Sequence, residues 1–168
     1  MGDTKDLSNT EAIEKIQDIA RDADICLFAT NLTSLPLSAR PMSTQKVDDD
    51  GTLWFLSSKS SSQNTDIEAD GRVQLFYSHK GSSEYLSVYG EATILFDRDI
   101  AKELWSPIVK TWFTEGVDDP DLSIIKVVPS DAYYWDTKNN KTVSLIKIVA
   151  GAVTGKTLDD GIKGKITV

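Results

Sequence analysis

Two periods of apolar residues alternate along the chain, and each change of period marks an element. Ile13, Ile16, Ala20 and Ala23 recur at helical spacing with Ile19 beside them, and Glu14, Lys15, Asp18, Arg21 and Asp22 fill the opposite face. Ser8-Asn9-Thr10-Glu11 has capping-box spacing, so a surface helix is predicted over about 9–23. The short apolar run Ile25-Cys26-Leu27-Phe28-Ala29-Thr30 then reads as a strand, followed by a loop to Pro36. A second strand is expected over 38–47, with Pro41 confining it to an edge or a bulge because proline donates no ladder hydrogen bond. Asp50-Gly51 turns it into a third strand over 52–57, since an Asp-Gly pair between two strand-like runs is a hairpin signal. A hydroxyl-rich loop leads to a short helix over 65–69, stopped at Asp70-Gly71.

Strands follow at 72–78 and 84–96, joined by a turn at 79–83; Gly90, inside the longer one, suggests a tight bend. Ile100, Leu104, Ile108 and Trp112 repeat every four residues, with Ala101 and Trp105 widening the stripe, so a helix is expected over 97–111. Pro107 should kink it or split it in two. After an acidic loop at 116–121 come three more strands, at 122–128, 131–136 and 142–148, the last pair turned by Lys138-Asn139-Asn140-Lys141. Eight strands and three helices without βαβ alternation predict a mainly β protein, an antiparallel barrel with a few packed helices. Residues 1–150 form one expected domain, and 151–168, rich in Gly and Lys, an extended, mobile tail.

Composition narrows the function. With 168 residues, 40% hydrophobic and 26% charged, the chain has the make-up of an ordinary soluble domain. Its net charge of −8 argues against nucleic-acid binding, which needs a basic surface, but leaves room for a small anion in a local basic pocket. One cysteine and one histidine exclude an internal disulfide and any multi-cysteine or histidine-rich metal site, so no metal is expected. No signal peptide and no stretch of about 20 apolar residues is apparent, which predicts a cytoplasmic protein outside the membrane. Cys26 reads as a small buried hydrophobe, His79 as a surface residue and Asp48-Asp49-Asp50 as turn chemistry.

The chemistry concentrates between Ala39 and Asp66. Here Ser57-Ser58-Lys59-Ser60-Ser61-Ser62-Gln63 joins a strand to a helix start, where free N–H groups and the helix dipole favour an anion; Lys59 and Arg40 add positive charge. The bland alternative for the serines is a flexible polar loop, and for Arg40 an exposed strand residue. Trp105 and Trp112 lie on the apolar stripe of the third helix, where packing competes with ligand contact.

Ala39-Arg40-Pro41-Met42, followed after the Asp-Gly turn by Leu53-Trp54-Phe55-Leu56-Ser57-Ser58, resembles the FMN-binding split-barrel superfamily, the pyridoxamine 5′-phosphate oxidase-like group. Glu103-Leu104-Trp105-Ser106-Pro107, Lys110-Thr111-Trp112-Phe113, Asp118-Asp119-Pro120-Asp121-Leu122 and Tyr134-Trp135-Asp136 are similar to its bacterial general stress protein branch. The resemblance covers about 10–147 and implies an antiparallel split β-barrel that binds FMN and forms a homodimer with flavin sites at the interface. It further implies that Arg40, Pro41, Met42 and Ser43 lie along the flavin, and that Phe55, Leu56, Ser57, Ser58, Lys59, Ser62 and Gln63 hold the ribityl chain and phosphate. Trp105, Trp112 and Trp135 then become candidates to line or close the cleft.

Two departures stand out. Many relatives carry a basic pair at the helix start, where this chain has Ser62-Gln63, which predicts weaker phosphate binding. No cluster of basic and histidine residues follows Trp135, which argues against true pyridoxamine phosphate oxidation. Three functions stay open: an FMN-dependent oxidoreductase taking electrons from NAD(P)H or another donor, a non-catalytic flavin sensor or store used under stress, and a barrel loaded with haem or a deazaflavin.

Overall fold

The computed structural model describes residues 9–81, 83–136 and 141–146 and shows an antiparallel split β-barrel with flanking helices. Helix α1 (Asn9–Ala23) leads into β1 (Ile25–Thr30), β2 (Ser38–Ser43), β3 (Lys46–Val47) and β4 (Leu53–Ser58). Helix α2 (Ser62–Ala69), β5 (Arg72–His79), β6 (Glu84–Leu95) and α3 (Arg98–Leu104) follow. Two 3-10 turns, at Pro107–Thr111 and Gly116–Asp118, then precede β7 (Leu122–Asp136) and β8 (Lys141–Ile146). The strands run in the order β2-β1-β5-β6-β7-β4-β3, and β8 pairs with the distal part of β7.

The split has a simple origin. β2 and β3 lie at opposite ends of this order, yet only Thr44 and Gln45 separate them in sequence. From Ser43 to Lys46 the chain reaches at most about 11 Å, so the sheet must curl until its ends nearly meet. Thr44 N–H donates to Asp24 on one side of the gap (2.9 Å) and Gln45 N–H to Trp54 on the other (2.8 Å). That is why the single strand expected over 38–47 is two. Pro41 sits on β2, paired with Leu27 of β1, at an edge where its missing N–H costs no ladder bond.

Inside the curl lies the main core: Ile16 and Ile19 of α1, Phe28, Phe55, Leu75, Leu86, Val88 and Ile125, all at most 1% exposed. Phe28 and Phe55 meet edge to face at 5.1 Å between centroids. Each such side chain contributes about 1.5–3 kcal/mol by burial, and α1, with Ala12, Ile16, Ile19 and Ala20 buried, covers the core along one stripe as its periodicity predicts. A second cluster joins Ala101 and Leu104 of α3 with Val109, Phe113, Leu122 and Ile124. β4 separates the two clusters: Leu53 and Phe55 face the main core, while Trp54 and Leu56 pack against the second.

Two further boundaries differ from expectation. Residues 122–128 and 131–136 form one strand, because a bulge between Gly90↔Pro129 and Tyr89↔Asp131 lets β7 absorb its proline. Gly90 permits this approach: a Cβ there would lie 2.4 Å from the Val128 carbonyl oxygen. The helix expected over 97–111 does split at Pro107, α3 ending at Leu104 and a 3-10 turn resuming at Pro107. The expected tail after residue 150, the turn at 138–140 and the last residues of the final strand lie outside the described residues. No helix among the described residues is long and apolar enough to cross a membrane.

Candidate functional site

The hydroxyl-rich segment forms where β4 ends and α2 begins. Helix α2 starts at Ser62, three residues before the position expected, because Ser61 caps it: Ser61 Oγ accepts from the Asn64 N–H at 3.2 Å. The N–H groups of Ser62 and Gln63 precede the first intrahelical bond, so the helix offers them no acceptor.

Arg40 reaches this turn from the facing edge strand. Its pairing with Phe28 puts it on the inner face of β2, and its Nη2 donates to Ser62 Oγ at 2.7 Å. Beside Ser62, Gln63 is 1% exposed and its Nε2 is buried without a hydrogen-bond partner. An unmet buried donor costs about 1–3 kcal/mol, and most native structures leave few of them. A guanidinium, a hydroxyl, an unpartnered amide and a helix N-terminus thus share one turn, a donor set suited to a phosphate or another anion.

The rest of the segment is engaged internally. Ser57 Oγ donates to Asn64 Oδ1 (2.9 Å), Asn64 Nδ2 to Ser123 Oγ (2.7 Å) and Ser123 Oγ to the Ser57 carbonyl (3.0 Å), closing a buried polar triangle. Ser58 Oγ donates to Asp121 Oδ2, and the Ser60 N–H to Asp121 Oδ1 at 3.0 Å. The Ser58 hydroxyl, and then the Ser60 N–H, hold the Asp121 carboxyl below its usual range. Lys59 is exposed, its ammonium 5.2 Å from the Phe96 ring centroid. Phe55 belongs to the main core and Leu56 to the second cluster. Of the fourteen residues singled out from sequence, the structure therefore joins Arg40 and Ser62 at the start of α2, Ser62 Oγ accepting from the guanidinium, with the buried and unpartnered Gln63 amide next in the chain. Asn64, Ser123 and Asp121 were not singled out. Ser61 and Asn64 at cap spacing, and one serine within the apolar run Leu122-Ser123-Ile124-Ile125, are the signals that point to the triangle.

Pro41 and Ser43 belong to the outer face of the sheet and Met42 to the inner face, packed against the main core. Trp105 is half-buried against the second cluster, whereas Trp112 is 68% exposed. Trp135 lies on the outer sheet face, paired with Tyr85 and in edge-to-face contact with Tyr133. That face is unusually apolar. Ile25 and Leu27 of β1, Phe76 of β5, Tyr85 of β6 and Trp135 all project from it and are all exposed.

Among the described residues, one surface cleft of about 520 Å³ lies between α1 and the Thr44–Val47 bridge and another of about 210 Å³ between α3, β6 and the Gly116–Asp118 turn. Neither is lined by any of the fourteen residues. Cys26 is no nucleophile: burial pushes its thiol up to about 12. Among the described residues no group of three or more His, Cys, Asp or Glu is placed to hold a metal ion.

Known proteins share this architecture and sequence. Protein bli-3 of Neurospora crassa is 26% identical over 112 residues, a match covering 62% of this chain and 54% of the relative, so the chain spans about half of that protein. General stress protein 26 of Bacillus subtilis is 29% identical over 97 residues, covering 56% of this chain and 69% of that one. Among solved structures, a Clostridium acetobutylicum protein related to general stress protein 26 superposes with a TM-score of 0.69 at 18% identity, over 84% of this chain and 97% of the other. The general stress FMN/FAD binding protein of Xanthomonas citri superposes with a TM-score of 0.64 at 23% identity, over 92% and 99% of the two chains. The profile of the family described as pyridoxamine 5′-phosphate oxidase like matches residues 11–159, and the chain belongs to that family.

Proposed function

We propose that the chain binds flavin mononucleotide, with the phosphate at the first turn of α2 and the ring along the edge strand β2. The observation that carries this reading is that, among the described residues, the buried Gln63 Nε2 has no acceptor, one position along the first turn of α2 from the Arg40–Ser62 contact. An anion there would supply the acceptor that the amide lacks, lie on the positive end of the helix dipole and face the Arg40 guanidinium. The Xanthomonas citri neighbour, described as binding FMN or FAD, supports the choice of ligand.

Each residue would have a separate task. Arg40 and Gln63 would hold the phosphate oxygens, one by charge and one by a neutral amide; Ser62 would bridge them. The free backbone edge of β2 from Pro41 to Ser43 would lie along the ring, while Trp112 and Trp135 offer exposed aromatic surface to cover it. Bound flavin would supply hydride or single-electron transfer, while the protein fixes its position and excludes water.

The outer sheet face completes the reading. Leu27, Phe76, Tyr85 and Trp135 form an apolar surface of the kind that a second copy of the chain covers, and a homodimer would set Trp135 at the interface. Phe76→Asp should convert a dimer to a monomer in sedimentation equilibrium while leaving the fold intact by circular dichroism.

The direct test is titration of purified protein with FMN, with riboflavin as the phosphate-free control, followed by flavin fluorescence. Saturable FMN binding that Arg40→Ala weakens, with riboflavin affected less, supports the site. Absence of FMN binding at high micromolar concentration removes it. A second reading, a sensor or store without turnover, applies if FMN binds but steady NAD(P)H oxidation does not follow.

A further inference from the structure

The hydroxyl-rich loop carries its own anion. β4 and β7 pair as an antiparallel ladder up to Ser58↔Leu122, and the Lys59 N–H extends the ladder by one bond to the Asp121 carbonyl (2.6 Å). Beyond that point the Asp121 side chain takes over from the backbone: its carboxylate accepts from the Ser58 hydroxyl and from the Ser60 N–H (3.0 Å). Asp121 is itself fixed, its N–H donating to Asp119 Oδ1 at 3.0 Å. The two donors that a hydroxyl-rich loop would be expected to turn toward a bound phosphate are therefore filled by a carboxylate. Ser58 and Ser60 also touch each other, Oγ to Oγ at 3.0 Å, which keeps both hydroxyls at the clamp.

We infer that Asp121 is a specificity-determining residue of the flavin site: its carboxylate occupies the Ser58–Ser60 donors, sets a negative charge beside the phosphate position and so weakens this chain's preference for FMN over flavins without a phosphate. The inference rests on the proposed flavin site. Its physical basis is twofold. Donors engaged by an ionised acceptor make charge-assisted bonds about twice as strong as neutral ones, so a phosphate does not displace the carboxylate without loss. Like charges at close range repel, and partly buried pairs are screened little by salt. Among the described residues Arg40 is the cation in contact with this turn, whereas the exposed Lys59 ammonium lies over Phe96 and acts on the Asp121 carboxylate.

The experiment compares FMN and riboflavin titrations of the full chain in its native form, in Asp121→Asn and in Ser58→Ala. Asp121→Asn keeps the shape and a hydrogen-bond acceptor but removes the charge, so FMN affinity should rise about tenfold with riboflavin affinity unchanged. Ser58→Ala, a milder change that does not depend on Asp121→Asn folding, should leave the FMN-to-riboflavin ratio within about twofold, because its hydroxyl is not offered to the phosphate. An unaltered ratio in Asp121→Asn overturns the inference, as does a selective loss of FMN affinity in Ser58→Ala. If none of the three proteins binds either flavin, the flavin site itself fails; if all bind both with one common ratio, the flavin site stands and only the role of Asp121 is lost.

Discussion

The two halves of the segment from Ser57 to Asn64 have nearly the same composition and opposite fates. From Ser57 to Ser60 every side-chain hydroxyl has an internal partner: Asn64 for Ser57, Asp121 for Ser58, and Ser58 for Ser60. Ser62 Oγ instead accepts from the Arg40 guanidinium on the edge strand, and among the described residues the buried Gln63 Nε2 has no acceptor. A count of hydroxyls does not separate a structural loop from a ligand site; following each donor to its acceptor does.

The comparison breaks most clearly at its structural half. Asn64→Ala removes the acceptor of Ser57 Oγ and a donor to Ser123 Oγ inside a fully buried triangle. Leaving such groups unmet costs about 1–3 kcal/mol, and a small void adds to it. Stability in urea should fall by about 2–4 kcal/mol. A loss under 0.5 kcal/mol would show that water replaces the amide and that the triangle is not structural.

At the open half the expected losses fall on affinity. Arg40→Ala removes a full charge from an exposed contact, so FMN affinity should drop about ten- to a hundredfold while unfolding changes by less than about 0.5 kcal/mol. Lys59→Ala, whose ammonium rests on Phe96, should cost threefold or less by the same titration, roughly the value of a screened surface charge. Equal effects of the two substitutions would mean that the positive field of the region, rather than the Arg40 contact, attracts the ligand.

Gln63 sharpens the contrast because its two effects have opposite signs. Gln63→Leu replaces an unmet buried donor with an apolar group of similar volume, which should stabilise the free protein by about 1 kcal/mol and weaken FMN binding. A destabilised variant would show that the amide has a partner, such as a trapped water, when no flavin is bound.

Legibility in the sequence followed the same division. Periodicity found α1 to the residue and placed the third helix, because an amphipathic stripe records which side meets the core; the short α2, which has no such stripe, was read from the loop before it and the Asp70-Gly71 stop. Periodicity misjudged 38–47 and 122–136, where the outcome depends on how distant edges meet: the Thr44–Gln45 bridge exists only once the sheet has curled, and the bulge at Pro129 only because Gly90 lies opposite. The loop and stop signals began α2 three residues late, since serine is a poor helix former but a good cap, and local propensity alone does not tell which serine caps. Arg40 and Gln63 were legible as candidates. Asp121 was not, because its role comes from the end of β4 lying beside the start of β7, with Ser58 and Asp121 63 positions apart.

The smallest effect concerns the clamp at low pH. The Asp121 carboxyl is held below its ordinary value of 3.8 in the folded chain. A group whose folded pKa is depressed contributes stability that is present above its unfolded pKa and is lost as pH falls through the folded pKa. Unfolding free energy should therefore decline below about pH 4, and Asp121→Asn should decline less steeply over the same interval. Asp70, held down to about 2 by the Arg72 guanidinium, and Asp118, held down by Arg98, add to the acid decline of both proteins. They cancel in the difference between the two curves, which isolates the clamp. Parallel curves would mean that Asp121 gains nothing from Ser58 and Ser60 in the folded state. The loop would then hold its shape without the carboxylate, leaving its donors open to a ligand after all.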